Sequence, residues 1–169
     1  MHHPKTRDLF TSEPSIRVTY DSFFSNVTED LTGTETILLV DDDDGLRILV
    51  HRILSRFGYR VLEARDGHEA VDVSESHEGA LHLILSDVVM SGLSGVDVVK
   101  RVRRRFKDAA ALFMSGRLNH ALLENGVLRN GTPFIQKPFV PADLARKVRE
   151  VLDGPPAPTP ADPSRHDGV

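Results

Sequence analysis

Residues Ile37-Leu38-Leu39-Val40 form an unbroken apolar run that stops at four consecutive carboxylates, Asp41 to Asp44, and a glycine. Apolar residues without polar alternation suit a strand covered on both faces, and such strands belong to parallel sheets flanked by helices. The chain then changes period. Leu46, Val50, Ile53, Leu54 and Phe57 form one stripe of a helix, which Gly58 ends.

This alternation continues to Asp153. Arg60 to Ala64 reads as a short strand, Asp66-Gly67 as a turn, and His68 to Ser76 as a helix carrying Ala70, Val71 and Val73. Leu81 to Leu85 is the third strand, ending at Ser86-Asp87. Beyond the loop Val88 to Ser94, the spacing of Val96, Val99, Val102 and Phe106 marks a third helix. Ala110 to Met114 makes the fourth strand, ending at Ser115-Gly116, and residues 119–128 predict a short helix. Pro133 to Gln136 is a short fifth strand, and Pro141 to Leu152 a last helix with Leu144, Val148 and Leu152 on one stripe. Five such units predict an α/β fold, a five-stranded parallel sheet wound on both faces.

The 169 residues, 40% hydrophobic and 27% charged, suffice for one core. Residues 35–153 carry the alternation. Residues 1–34 read as an N-terminal extension, either loosely ordered or an arm that packs through Ile16, Val18, Tyr20, Phe23, Phe24 and Val27 on the domain or on a second copy. Residues 154–169, opening with Gly154-Pro155-Pro156, read as a disordered, Pro-rich tail. The absence of cysteine excludes disulfides and thiolate metal sites. No apolar run approaches the ~20 residues of a membrane span, so a cytoplasmic protein without membrane contact is expected. A net charge of −4 argues against direct nucleic-acid binding, and the run Lys100, Arg101, Arg103, Arg104, Arg105 and Lys107 reads as the solvated face of one helix.

Polar groups end the strands. In an open parallel sheet the binding crevice lies beyond the carboxyl ends, where chain order reverses. Asp41 and Asp42, Asp87, Ser115 and Lys137 all fall at such ends and converge on one rim. Clustered carboxylates repel; a unit pair at 4 Å is worth about 4 kcal/mol at an effective dielectric of 20. Oxygen donors call for a hard cation, and a shallow rim with few protein ligands suits Mg²⁺. Lys137 and the Ser115 hydroxyl add the equipment for a phosphoryl group, and Asp87 is the best-placed nucleophile for an acyl phosphate.

These residues give the stretch from Glu35 to Asp153 its resemblance to a receiver domain of the two-component response-regulator family. The match rests on Asp41-Asp42, on Asp87 in Leu85-Ser86-Asp87-Val88-Val89-Met90, on Ser115 in Phe113-Met114-Ser115-Gly116, and on Lys137 in Gln136-Lys137-Pro138-Phe139. The resemblance implies a flavodoxin-like fold and phosphorylation of Asp87. It implies Mg²⁺ held by Asp41, Asp42, Asp87 and the Val89 carbonyl, and phosphoryl oxygens contacted by Ser115 and Lys137. Ser115 and Phe134 would form the switch that moves on activation. The phosphoryl donor would be a sensor histidine kinase or a histidine phosphotransfer protein, and the output a downstream protein target or a homodimer, through the face of the 119–128 helix, fifth strand and last helix. Phe113 to Gly116, Asn125-Gly126-Val127-Leu128 and Phe134 to Phe139 resemble the receivers fused to hybrid sensor histidine kinases. The family usually has Met-Pro after the acceptor, whereas this chain has Met90-Ser91-Gly92, which loosens that loop.

Two other readings share these residues. Asp41 and Asp43 could imitate the Asp-x-Asp pair of an Mg²⁺-dependent phosphohydrolase with an aspartyl nucleophile, although no cap insertion is apparent. A receiver-shaped interaction module that works without phosphate is the third. Asp43 and Asp44 are expected to be solvated rather than ligating.

Overall fold

Central strands buried on both faces build a two-sided core. In the computed structural model, which describes residues 30–116 and 131–154, the strands are β1 (Thr36–Val40), β2 (Arg60–Ala64), β3 (Leu83–Asp87), β4 (Ala110–Ser115) and β5 (Phe134–Gln136). The helices are α1 (Asp44–Arg56), α2 (Gly67–Ser76), α3 (Gly95–Val102) and α4 (Pro141–Asp153). All but the first described residue fall in one compact unit. The helix expected over 119–128 lies outside the described residues, as do residues 1–29 and the chain beyond Gly154.

The five strands are parallel, in the order β2-β1-β3-β4-β5. β1 and β4 are buried along their whole lengths, as their unbroken apolar runs require. Leu38 and Val40 turn to one face, where Ile84, Ala111 and Phe113 join Ala70 of α2 and Val98, Val99 and Val102 of α3. On the other face α1 packs against α4 and β1, burying Val50, Ile53 and Leu54, with Leu144, Ala145 and Val148 of α4. Each fully buried Leu or Val contributes about 1.5–3 kcal/mol of transfer free energy, and a dozen or more of them hold the sheet rigid beneath its rim.

Register aligns that rim. Val40 lies opposite both Ala64 and Ser86, Asp87 opposite Met114, and Ser115 opposite Gln136. The chain steps to one side of β1 for β2 and to the other for β3, so order reverses between β1 and β3, next to Asp41 and Asp87.

Two element boundaries differ from the periodicity by two residues or more, and one buried stripe differs in its members. The third helix stops at Val102 rather than reaching Phe106, because the arginine run turns out of it: the Arg103 Nε donates to the Ala109 carbonyl at 2.8 Å. Phe106 stays half-buried against the core through a turn, its amide donating to the Val102 carbonyl at 3.0 Å. β3 begins at Leu83 rather than Leu81, although Leu81 is buried and the His82 amide donates to the Thr36 carbonyl at 2.9 Å. In α4 the buried stripe uses Ala145 and Val151 and leaves Leu152 partly exposed.

The unit includes residues just before β1. Leu31 is buried, its carbonyl accepts from the Tyr59 hydroxyl at 3.0 Å, and the Gly33 amide donates to the Phe57 carbonyl at 2.9 Å. Arg149 of α4 joins them, paired with Glu35 at 2.8 Å and Asp153 at 2.8 Å.

Candidate functional site

The four aspartates after β1 do four different things. Asp41 still belongs to the sheet, its amide donating to the Ala64 carbonyl at 3.2 Å, and it is fully buried. One of its carboxylate oxygens accepts from the Asp43 amide at 2.9 Å and the other from the Lys137 Nζ at 2.7 Å. Asp43 caps α1: its carboxylate accepts from the Leu46 amide at 2.9 Å. Asp44 sits in the first turn, where a negative charge favours the helix, and is paired with Arg47 at 2.5 Å. Arg47 also donates to the Asp41 carbonyl at 2.8 Å, tying the helix to the strand end. Asp42 is exposed and carries its carboxylate on the rim.

Asp87 ends β3. Its carboxylate accepts from the Val89 amide at 3.0 Å and from the Lys137 Nζ at 2.6 Å. Lys137 follows β5, its amide bound to the Ser115 carbonyl at 2.8 Å, so the ammonium that bridges Asp41 and Asp87 is aimed by the edge of the sheet. Ser115 ends β4 and is buried. Val89 lies exposed two residues past Asp87, and Phe134 of β5 is 39% exposed, turned toward solvent.

Carboxylate oxygens of Asp41, Asp42 and Asp87 lie within 4.8 Å of one another, a group that could hold a metal ion. The electrostatics fit a cation. Burial pushes the Asp41 carboxyl above its ordinary range, against the hydrogen bonds from Lys137 and the Asp43 amide that favour its charged form. Burial also works to lower the Lys137 ammonium, but the hydrogen bonds and charges of Asp41 and Asp87 outweigh it and leave Lys137 raised. A positive group already stands among the acids. With only oxygen donors present, the cation that would join it is a hard one.

Sequence reasoning passed over two residues that shape this rim. Arg47 lies beside the apolar stripe of its helix, and its only signal was the i,i+3 spacing from Asp44. Gly95, the first residue of α3, packs so closely beneath the end of β3 that a Cβ there would lie 2.0 Å from the Asp87 carbonyl oxygen. Its signal was the Ser94-Gly95 pair, in which Ser94 caps α3.

Residues 37–149 match the family model of the response regulator receiver domain. Among similar proteins, the sensor kinase CckA of Brucella abortus is 36% identical over 124 residues, covering 73% of this chain and 13% of that protein. The transcriptional regulatory protein YvrH of Bacillus subtilis is 33% identical over 118 residues, covering 69% of this chain and 48% of that protein. The chain thus spans at most about half the length of these curated relatives. Among solved structures, the chemotaxis protein CheY4 of Vibrio cholerae matches with a TM-score of 0.62 at 29% identity, over 70% of this chain and 99% of that one. The receiver domain of the hybrid histidine kinase CckA matches with a TM-score of 0.58 at 35% identity, over 69% of this chain and 98% of that one. Phosphorylation on aspartate is this family's role, which is regulatory rather than that of a conventional enzyme. By its matched residues, its sheet order and its similarity to these proteins, the chain belongs to the response regulator receiver domain family.

Proposed function

We propose that Asp87 is the phosphoacceptor of this receiver, taking a phosphoryl group from a phosphohistidine on a sensor histidine kinase or a histidine phosphotransfer protein. The observation that carries this reading is the Lys137 ammonium bridging Asp41 and Asp87 at 2.7 and 2.6 Å beside the exposed Asp42. A carboxylate oxygen of Asp87 attacks phosphorus in line, the P–N bond breaks with its electron pair going to the imidazole, and an acyl phosphate forms. Lys137 leaves the free carboxylates and holds one phosphoryl oxygen, and the Ser115 hydroxyl holds another.

Asp41, Asp42, Asp87 and the Val89 carbonyl are the ligands this reading assigns to Mg²⁺. When bound, the ion neutralises charge on the acids and the incoming phosphoryl oxygens. The chain's own residues thereby promote both phosphorylation and its reversal. Drawing Ser115 toward the phosphoryl group vacates space beside β4, into which the exposed Phe134 turns inward. The changed β5 and α4 surface then meets a downstream protein target or a second copy. This reading treats residues 35–153 as the receiver, residues 1–34 as an N-terminal arm and 154–169 as a tail, in the cytoplasm and without direct nucleic-acid contact. No helix among the described residues is long and apolar enough to cross a membrane.

The geometry favours the receiver over the phosphohydrolase, since Asp43 turns its carboxylate onto the Leu46 amide rather than toward Asp41's partners. Intact-mass spectrometry after incubation with acetyl phosphate and Mg²⁺ tests it. One phosphoryl adduct is expected, lost when Mg²⁺ is chelated and absent in Asp87→Asn. If neither an adduct nor beryllofluoride binding is found, the phospho-acceptor reading fails, and the phosphate-independent module takes its place.

A further inference from the structure

The basic run that begins in the last turn of α3 and continues past its end divides into two sets with different surroundings. Arg103 and Arg105 are engaged in the fold. Arg103 donates to the Ala109 carbonyl at 2.8 Å, and Arg105 donates to the Glu75 and His77 carbonyls and lies over the Phe106 ring, 5.3 Å from its centroid. Lys100, Arg101 and Arg104 fall three, four and seven residues after Asp97, and so share one face of α3 and the turn that continues it. Together with His68, at the start of α2, they line a cleft of about 500 Å³. Its remaining wall is Gly92 and Leu93, from the loop that follows Asp87.

Within that cleft the positive charges exceed the negative. Asp97 is its one acid; it accepts from the Ser94 hydroxyl at 2.7 Å and stands 4.0 Å from Lys100. Arg101 and Arg104 are exposed and make no side-chain hydrogen bond or ion pair among the described residues. The α3 dipole accounts for cations in its last turn, but not for a histidine from α2 facing them, nor for Arg104 beyond the helix end. Gly92, at φ +83°, borders open space, where a Cβ would meet nothing within 4 Å.

We infer that the cleft formed by His68, Lys100, Arg101 and Arg104 binds a small anion carrying two or more phosphate groups. Two guanidinium forks one helical turn apart suit paired, bidentate recognition of phosphate oxygens.

The test is a titration of the full-length, Mg²⁺-free protein with inorganic pyrophosphate at fixed ionic strength, followed by amide NMR shifts. Saturable shifts are expected at Gly92 and at Lys100 to Arg104. The Arg101→Ala/Arg104→Ala double variant should bind at least ten-fold more weakly. Lys107→Ala, which removes a cation of the same run outside the cleft, should bind as the wild type does. Asp97→Asn should bind more tightly, and it carries the test if the double variant does not fold. Shifts that sodium chloride reproduces, equal weakening by Lys107→Ala, unchanged affinity in Asp97→Asn, or shifts confined to Ser115 and Lys137 would each overturn the inference.

Discussion

Asp43 and Asp42 are neighbours with opposite expected phenotypes. Asp43 accepts from the Leu46 amide at the start of α1, so Asp43→Ala should cost about 1 kcal/mol of unfolding free energy, the usual worth of an N-cap. Its Mg²⁺-dependent phosphorylation should survive. Asp42 is exposed, so Asp42→Ala should leave urea stability within about 0.5 kcal/mol while the phosphoryl adduct is lost or loses its dependence on Mg²⁺. Parallel urea melts and mass spectra of the two variants check the contrast; loss of the adduct in Asp43→Ala alone would reverse the assignment. That division was not legible in a run of four identical side chains, since it depends on where strand geometry ends and helix geometry begins. Gly95 is a second residue whose role came only with packing. Gly95→Ala would set a methyl 2.0 Å from the Asp87 carbonyl oxygen, which is backbone and cannot swing aside. About 3 kcal/mol of destabilisation is expected in a urea melt, the upper part of the range for overpacking.

At the scale of elements, the strands and most helix ends were readable, and the end of α3 was not. β1 and β4 are buried throughout, so composition alone marks them, whereas the end of α3 is decided by where Arg103 finds an acceptor, a contact with Ala109 that no periodicity encodes. β5 is only three residues long and half exposed, yet its proline-bounded position and the lysine after it made it visible. The attachment of β1 to α4 was invisible for a different reason: Glu35 and Arg149 are far apart in sequence and pair at 2.8 Å only after the sheet forms. Burial acts to raise the Glu35 carboxyl, but the hydrogen bond and charge of Arg149 outweigh it and leave its pKa below the ordinary 4.5. A carboxylate lowered in the folded state stabilises it above its unfolded pKa, and that contribution is lost as pH falls through the folded value. Stability should therefore drop as pH is lowered below about 4.5, and Glu35→Gln should flatten that acid limb in urea melts taken between neutral pH and pH 3. An acid limb equally steep in both proteins would remove Glu35 from the account. Arg149→Ala, which also loses Asp153, the Thr32 carbonyl and the Tyr59 hydroxyl, should cost about 2–3 kcal/mol at neutral pH.

Over the whole molecule, the sheet brings Lys137 across 96 residues of sequence to Asp41 and across 50 to Asp87. The identity of these residues could be read from strand ends, but the bridge itself could not, because it depends on β1, β3 and β5 sharing one rim. The bridge also makes Lys137 and a divalent cation competitors for the same two carboxylates. One ammonium cannot balance three acids, so the metal-free domain keeps excess negative charge at its rim, and Mg²⁺ binding should stabilise the native state in proportion to the logarithm of its concentration. At one hundred times the dissociation constant the gain is about 2.7 kcal/mol. In Lys137→Met the stem's packing is kept and the charge is removed, leaving Asp41 fully buried with no cation beside it. Without Mg²⁺ that variant should be less stable than the wild type by about 3 kcal/mol, the lower end for breaking a buried pair. With Mg²⁺ saturating, the gap should narrow, since the ion supplies the charge the lysine gave and no longer has to displace it. Urea melts of both proteins across an Mg²⁺ series measure this directly: an Mg²⁺ increment larger in Lys137→Met than in the wild type is the expected outcome, and equal increments would mean that the ion and Lys137 do not share Asp41 and Asp87.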